Sequence, residues 1–131
     1  MIKIVGLGPG APEALTIGAV DAIRKSDNVY FRTEKHPTVE YIKEQGINFK
    51  TCDYFYESSE SFDEVYKRIS ESIIEEYNKT GELVYAVPGH PLVAEKSVFN
   101  LIELCEKASI EYTILPAVSF IDAMKIGRAH V

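Results

Sequence analysis

Short apolar runs alternate along this chain with longer stretches in which apolar residues return every three or four positions. Residues 2–5, "IKIV", are rich in β-branched side chains and are ended by glycines, which predicts a buried strand. From Thr16 the period changes. Ile17, Val20 and Ile23 recur at helical spacing, Asp21, Arg24 and Lys25 fall on other faces, and Thr16 is placed to cap the helix. Residues 28–31 predict a second strand. Pro37 suits the first turn of a helix, because its missing N–H has no partner there anyway. That helix carries Tyr41 and Ile42 and stops at Gly46. Residues 49–52 predict a weak third strand.

The clearest helix follows. Ser61-Phe62-Asp63-Glu64 has the form of a capping box, with the serine accepting from the third residue and the glutamate reaching back. Phe62, Val65, Tyr66, Ile69, Ile73 and Tyr77 then align on one face, and Gly81 ends the run. Leu83–Val87 is almost continuously apolar, as in a strand covered on both faces of a parallel sheet. Ala94, Val98, Leu101, Ile102 and Cys105 predict another amphipathic helix. Tyr112–Leu115 predicts a fifth strand, and a fifth helix is expected from Ser119 onward. The alternation implies an α/β fold: a parallel five-stranded sheet with helices on both faces. Ligands of such sheets bind beyond the carboxyl ends of the strands. Here those ends are residues 6–12, 32–37, 88–92 and 116–120, and the unusual residues concentrate in them.

Composition narrows the function. Of the 131 residues, 46% are hydrophobic and 26% charged, which suits one globular domain rather than a disordered chain. The net charge of −6 offers no basic face, so nucleic acid is not the expected partner. Cys52 and Cys105 lack a metal or redox spacing, and His36, His90 and His130 are scattered, so no metal site is predicted. Neither a signal-peptide pattern nor an apolar run of membrane-spanning length is present in the sequence, and a cytoplasmic location is expected.

The loops carry the chemistry. In "IVGLGPGAPEALT", Gly6, Gly8 and Ala11 satisfy G-x-G-x-x-G/A, the dinucleotide fingerprint. That site needs a helix to open at the second glycine, so that its N–H groups meet the pyrophosphate. Pro9 and Pro12 intervene, and helical periodicity starts only near Leu15, which argues against a nicotinamide site. In "YAVPGHPLVAE", Pro88 and Pro91 stiffen the loop and Gly89 allows close approach to its backbone. No acid or nucleophile accompanies His90 in the sequence, so no triad is supported. Ser119, in "PAVSF", taken alone is an ordinary helix cap.

Together these segments resemble the tetrapyrrole methylase family, the class III S-adenosylmethionine-dependent methyltransferases. The resemblance rests on Gly6-Leu7-Gly8-Pro9-Gly10 followed by Leu15-Thr16, on Gly89-His90-Pro91, and on Pro116-Ala117-Val118-Ser119-Phe120, in that order. His90 stands where the family usually has Asp, and Ala117 where it has Gly. "FRTEKHP", "SFDEVYKRI" and "VYAVPGHPLVAEKSV" look closest to the methylase-like half of bacterial fusions with a MazG-type nucleoside triphosphate pyrophosphohydrolase. The resemblance implies the N-terminal domain of a two-domain methyltransferase, truncated here, that binds S-adenosylmethionine and is a homodimer at full length. It implies a cofactor pocket using Pro9, His90, Val93, Ser119 and Phe120, and a substrate that is a tetrapyrrole or another small molecule; Arg32, Thr33 and His36, on the second-strand loop, are placed to face that substrate. No catalytic base is assigned, because displacement at an activated sulfonium draws much of its rate from alignment. The domain is expected over residues 1–125. The last six, "IGRAHV", resemble a translated sequencing-adapter fragment and are expected to be a non-native tail. Glu103-x-x-Glu106 lacks a partner pair, so nucleotide hydrolysis by this segment is not expected. Three readings stay open: the cofactor-binding half of a methyltransferase, incomplete alone; a methylase-like module whose main activity lies in a missing pyrophosphohydrolase part; and a non-catalytic nucleotide-binding or dimerisation module.

Overall fold

The computed structural model describes residues 1–93 and 95–119. The chain runs β1 (Ile2–Gly6), a 3-10 turn (Pro12–Ala14), α1 (Ile17–Lys25), β2 (Val29–Phe31), α2 (Pro37–Glu44), β3 (Lys50–Thr51), α3 (Asp53–Ser58), α4 (Phe62–Thr80), β4 (Leu83–Val87), α5 (Lys96–Lys107) and β5 (Tyr112–Leu115). The five strands form one sheet in the order β3-β2-β4-β1-β5, and every pairing is parallel. This is the α/β architecture that the alternating pattern predicts. Four expectations lie outside the described residues: Ala94 on a helical face, Phe120 in the pocket, the fifth helix beyond Ser119, and the tail 126–131.

Side-chain alternation along the strands divides the core in two. Leu83, Tyr85 and Val87 of β4 join Ile2, Ile4 and Tyr30 on one face, packed against Val65, Ile69 and Ile73 of α4 and Val98, Leu101 and Cys105 of α5. Val84 and Ala86 join Val5, Val29 and Phe31 on the other, against Ala19, Ala22 and Ile23 of α1 and Val39 and Ile42 of α2. β4 is buried throughout, and each large aliphatic side chain sealed here contributes roughly 1.5–3 kcal/mol.

Three local expectations need correction. The helix of residues 53–58 was not predicted; its run "DYFYES" is too short to show a helical period. Phe62 and Ile17, assigned to apolar faces by spacing, are 70% and 82% exposed. Each is the first residue of its helix, and periodicity sets only the direction of a side chain, not whether a neighbour reaches that turn. The cap of α4 is also offset. The Glu64 N–H donates to Ser61 Oγ as expected, but Glu64 Oε2 accepts from the Glu60 N–H rather than from Ser61.

Both cysteines are buried. Burial pushes the Cys52 thiol up to about 12 and the Cys105 thiol up to about 11. Neither forms thiolate at neutral pH in the folded chain. A thiol reagent at pH 7.5 should therefore label neither in native protein and both after denaturation, as read by intact mass; rapid native labelling would contradict this packing.

Candidate functional site

The switch in strand order places β1 beside β4, and the loops that leave their carboxyl ends meet directly. Leu7 N–H donates to Val87 O at 2.8 Å, Gly8 N–H to Gly89 O at 3.2 Å, and Gly89 N–H to Gly8 O at 2.9 Å. Gly8 and Gly89 thus form a small antiparallel bridge, and both have positive φ, at 75° and 68°. The bridge occupies the Gly8 amide that a dinucleotide pyrophosphate would need, which gives a structural reason to reject the G-x-G-x-x-A reading.

Gly6 is the point where all three motifs touch. A Cβ there would lie 2.5 Å from Gly89 O, 2.6 Å from Ala117 Cβ and 2.8 Å from Pro91 Cδ. The second-strand loop is tied in as well. Thr38, fully buried, donates through Oγ1 to Gly10 O at 3.1 Å. Arg32 N–H donates to Ala86 O at 2.9 Å, which continues the β2–β4 pairing into the loop.

Between these loops lies a cleft of about 270 Å³, lined by Gly8, Pro9, Arg32, His36, Pro88, Gly89, Val93 and Glu95. Four of the residues singled out in the sequence therefore share one concavity: Pro9, Val93, Arg32 and His36. The others are placed differently. His90 Nδ1 accepts from the Leu92 N–H at 3.0 Å, inside its own turn. Thr33 Oγ1 donates to Asp53 Oδ1 at 2.7 Å, and Asp53 Oδ2 accepts from the Glu34 N–H at 2.9 Å, so Thr33 fastens its loop to the start of α3. Ser119 is buried. Phe120 lies outside the described residues.

His36 caps α2, its Nδ1 accepting from the Thr38 N–H at 3.3 Å. Burial lowers its pKa below the ordinary 6.5; a backbone contact with Gly8 opposes this and the Arg32 charge reinforces it. A folded pKa below the unfolded one means that the unfolded chain binds more protons in the window between them. The His36 contribution is complete above 6.5, the unfolded value, and is lost as pH falls from there through the lower folded value. Urea titrations between pH 5 and 8 should show this acid-side loss in the wild type. His36→Asn, which keeps a capping acceptor, should flatten it. An unchanged slope would contradict the assignment.

The structure adds a polar chain that the sequence reading missed. Glu95 is 6% exposed and lies in the segment before α5, beside Arg32 at the end of the neighbouring strand. Arg32 Nε sits 3.1 Å from Glu95 Oε1, an ion pair whose angle falls short of hydrogen-bond geometry, so Nε is buried without a hydrogen bond. Arg32 Nη1 donates to Tyr56 Oη at 2.5 Å. Ser97 Oγ donates to Glu95 Oε1 at 2.7 Å and lies 2.8 Å from the Tyr85 hydroxyl, which is then free to donate to Ser97. Tyr85 and Ser97 thus donate in turn toward the Glu95 carboxylate, while Arg32 donates to Tyr56. Burial raises the Glu95 pKa, while Arg32 and Ser97 pull it back. Burial likewise works against the Arg32 charge, but Glu95 and Tyr56 outweigh it and raise its pKa. An acid set within the mostly apolar stretch "AVPGHPLVAEKSV" was the signal available in the sequence.

The pattern of the tetrapyrrole (corrin/porphyrin) methylases matches residues 1–125. The chain belongs to this family. Among relatives of the tetrapyrrole methylase chain, the uncharacterized protein YabN of Bacillus subtilis (strain 168) is 39% identical over 122 residues, which are 93% of this chain and 25% of YabN. The fold matches the uroporphyrin-III C-methyltransferase of Thermus thermophilus in complex with S-adenyl homocysteine, with a TM-score of 0.66 and 19% identity, over 90% of this chain and 45% of that one. Diphthine synthase matches with a TM-score of 0.67 and 24% identity, over 91% of this chain and 45% of that one. The chain thus spans a quarter of the length of that relative and under half of these two solved structures. Among the described residues, no helix is long and apolar enough to cross a membrane.

Proposed function

We propose that the chain is the S-adenosylmethionine-binding half of a methyltransferase acting on a small molecule. The observation that carries this reading is the meeting of the three family motifs around Gly6, with the cleft opening beside it. The cleft suits the cofactor. Pro9, Pro88 and Val93 supply apolar walls for a flat heterocycle, and the bridged Gly8 and Gly89 leave part of the wall as bare backbone. A Cβ on Gly89 would meet no protein atom within 4 Å, so that stretch of wall is open rather than packed. The named thermophilic relative was crystallised with S-adenyl homocysteine, which supports the same ligand class here.

When bound, S-adenosylmethionine supplies an activated methyl group. The residues of this chain would bind and orient it. Pro9, Val93 and the loop containing His90 would shape the walls, with Ser119 and Phe120 assigned to the same pocket by the family resemblance. His36 would face the substrate side, Arg32 would line the cleft beside it, and Thr33 would hold their loop in place. The cleft is smaller than the usual enclosed ligand pocket of roughly 300–1,000 Å³. That fits one wall of a site completed by another domain or by a second copy in a homodimer.

A second reading has one finding in its favour. YabN holds the matching segment as a quarter of a longer chain. The segment would then be the methylase-like module of a bifunctional protein, with nucleoside triphosphate pyrophosphohydrolysis in another part. Isothermal calorimetry with S-adenosylhomocysteine tests the cofactor claim of the first reading. Saturable heat is expected at ligand concentrations up to about 1 mM, corresponding to at least ~4 kcal/mol of binding free energy. A flat titration would remove the cofactor-binding reading.

A further inference from the structure

Resting on the cofactor reading above, we propose that Arg32 and Glu95 form a zwitterion grip for the α-amino-acid end of the cofactor, the guanidinium facing its carboxylate and Glu95 its ammonium. Both residues line the cleft, and they come from adjacent strand ends, after β2 and β4. They carry opposite charges within 3.1 Å of each other, yet do not satisfy one another, because the Nε contact lacks hydrogen-bond geometry. Among the described residues, neither Glu95 Oε2 nor Arg32 Nη2 has a hydrogen-bond partner; the bonds formed use Oε1 and Nη1.

The surrounding groups hold this pair in place. Tyr56 steadies Arg32, and the Tyr85–Ser97 chain steadies Glu95 from beneath. A polar network of this size, built against a buried strand, is costly unless it is satisfied. The two residues that carry these open valences, one anionic and one cationic, line a cleft whose other walls are prolines, glycines, a valine and His36. An amino-acid zwitterion matches that array in charge and in hydrogen bonding: its carboxylate accepts from Arg32 and its ammonium donates to Glu95. A plain anion would be repelled by Glu95, and a plain cation by Arg32.

The test is a comparison of two nucleoside ligands by calorimetry. S-adenosylhomocysteine carries the amino-acid end, and 5′-methylthioadenosine lacks it. The wild type should bind S-adenosylhomocysteine at least about tenfold more tightly, the worth of one charge-assisted hydrogen bond. The preference should fall toward one in Arg32→Gln and in Glu95→Gln. It should fall partway in Ser97→Ala, which keeps both charges but frees Glu95 from its support. Equal wild-type affinities for the two ligands would overturn the grip, and so would a preference undiminished in both charge variants. The wild-type comparison needs no variant to fold. If neither ligand binds the wild type, the cofactor reading itself fails, which is a different result from equal binding of both.

Discussion

Gly6→Ala should destabilise the chain by about 1–3 kcal/mol, the usual cost of forcing atoms into a packed site, and should abolish ligand heat. The reason is steric, because the added carbon would lie 2.5 Å from the Gly89 carbonyl oxygen. Ala117 Cβ and Pro91 Cδ close the other sides, so relief requires the first, fourth and fifth loops to part. Parting them also opens the Gly8–Gly89 bridge beside the cleft. Gly18 is the matched control. It lies in α1, a Cβ there meets nothing within 4 Å, and its φ is not left-handed. Gly18→Ala should raise stability by roughly 0.5–1 kcal/mol through helix propensity. Urea denaturation of the two variants decides the matter. A Gly6→Ala protein as stable as the wild type would mean that the three loops do not meet as described.

Gly89→Val should do different damage for a different reason. Space is available at Gly89, but its φ of 68° is left-handed. A β-branched residue there is strained by roughly 1–2 kcal/mol or more. The new side chain would also stand at a position that lines the cleft. Gly89→Ala carries most of the strain with little of the bulk. The pair therefore separates fold from site: both should lose stability by denaturation, while calorimetry should show Gly89→Val losing far more S-adenosylhomocysteine affinity than Gly89→Ala. Equal affinities in the two variants would place the ligand elsewhere.

Much of the fold was legible because parallel α/β structure writes itself in two clear periods. The run Leu83–Val87 is apolar because helices cover both faces of β4, and the strand is buried along its whole length. Thr16, Ser61 and Gly81 marked helix ends through specific backbone chemistry, and each holds that position. Legibility failed where neighbours decide. Phe62 obeys the period of α4 yet is exposed and stacks on Tyr66, with ring centroids 6.4 Å apart. The helix Asp53–Ser58 is set by its surroundings: Asp53 at its start is held by Thr33 and the Glu34 amide, 20 and 19 residues earlier in the chain.

The cleft shows the same division. Pro9, Val93, Arg32 and His36 were visible as unusual residues at strand ends, and strand order brings those ends together. Glu95 was missed because its role depends on Arg32, which lies 63 positions away in the sequence and beside it in space. Ser97 and Tyr85 were read as part of a helix and a core strand. Their hydroxyls become a connected support only when β4 and the start of α5 are placed side by side.

The most direct test is a titration of isotope-labelled protein with S-adenosylhomocysteine, followed amide by amide by NMR. The amides of Gly8, Arg32, Gly89, Val93 and Glu95 should shift together along one saturable curve, while those of β3 and the carboxyl end of α4 stay still. Saturable shifts centred away from the cleft, or no shifts at all, would contradict the assignment of this cleft to the cofactor.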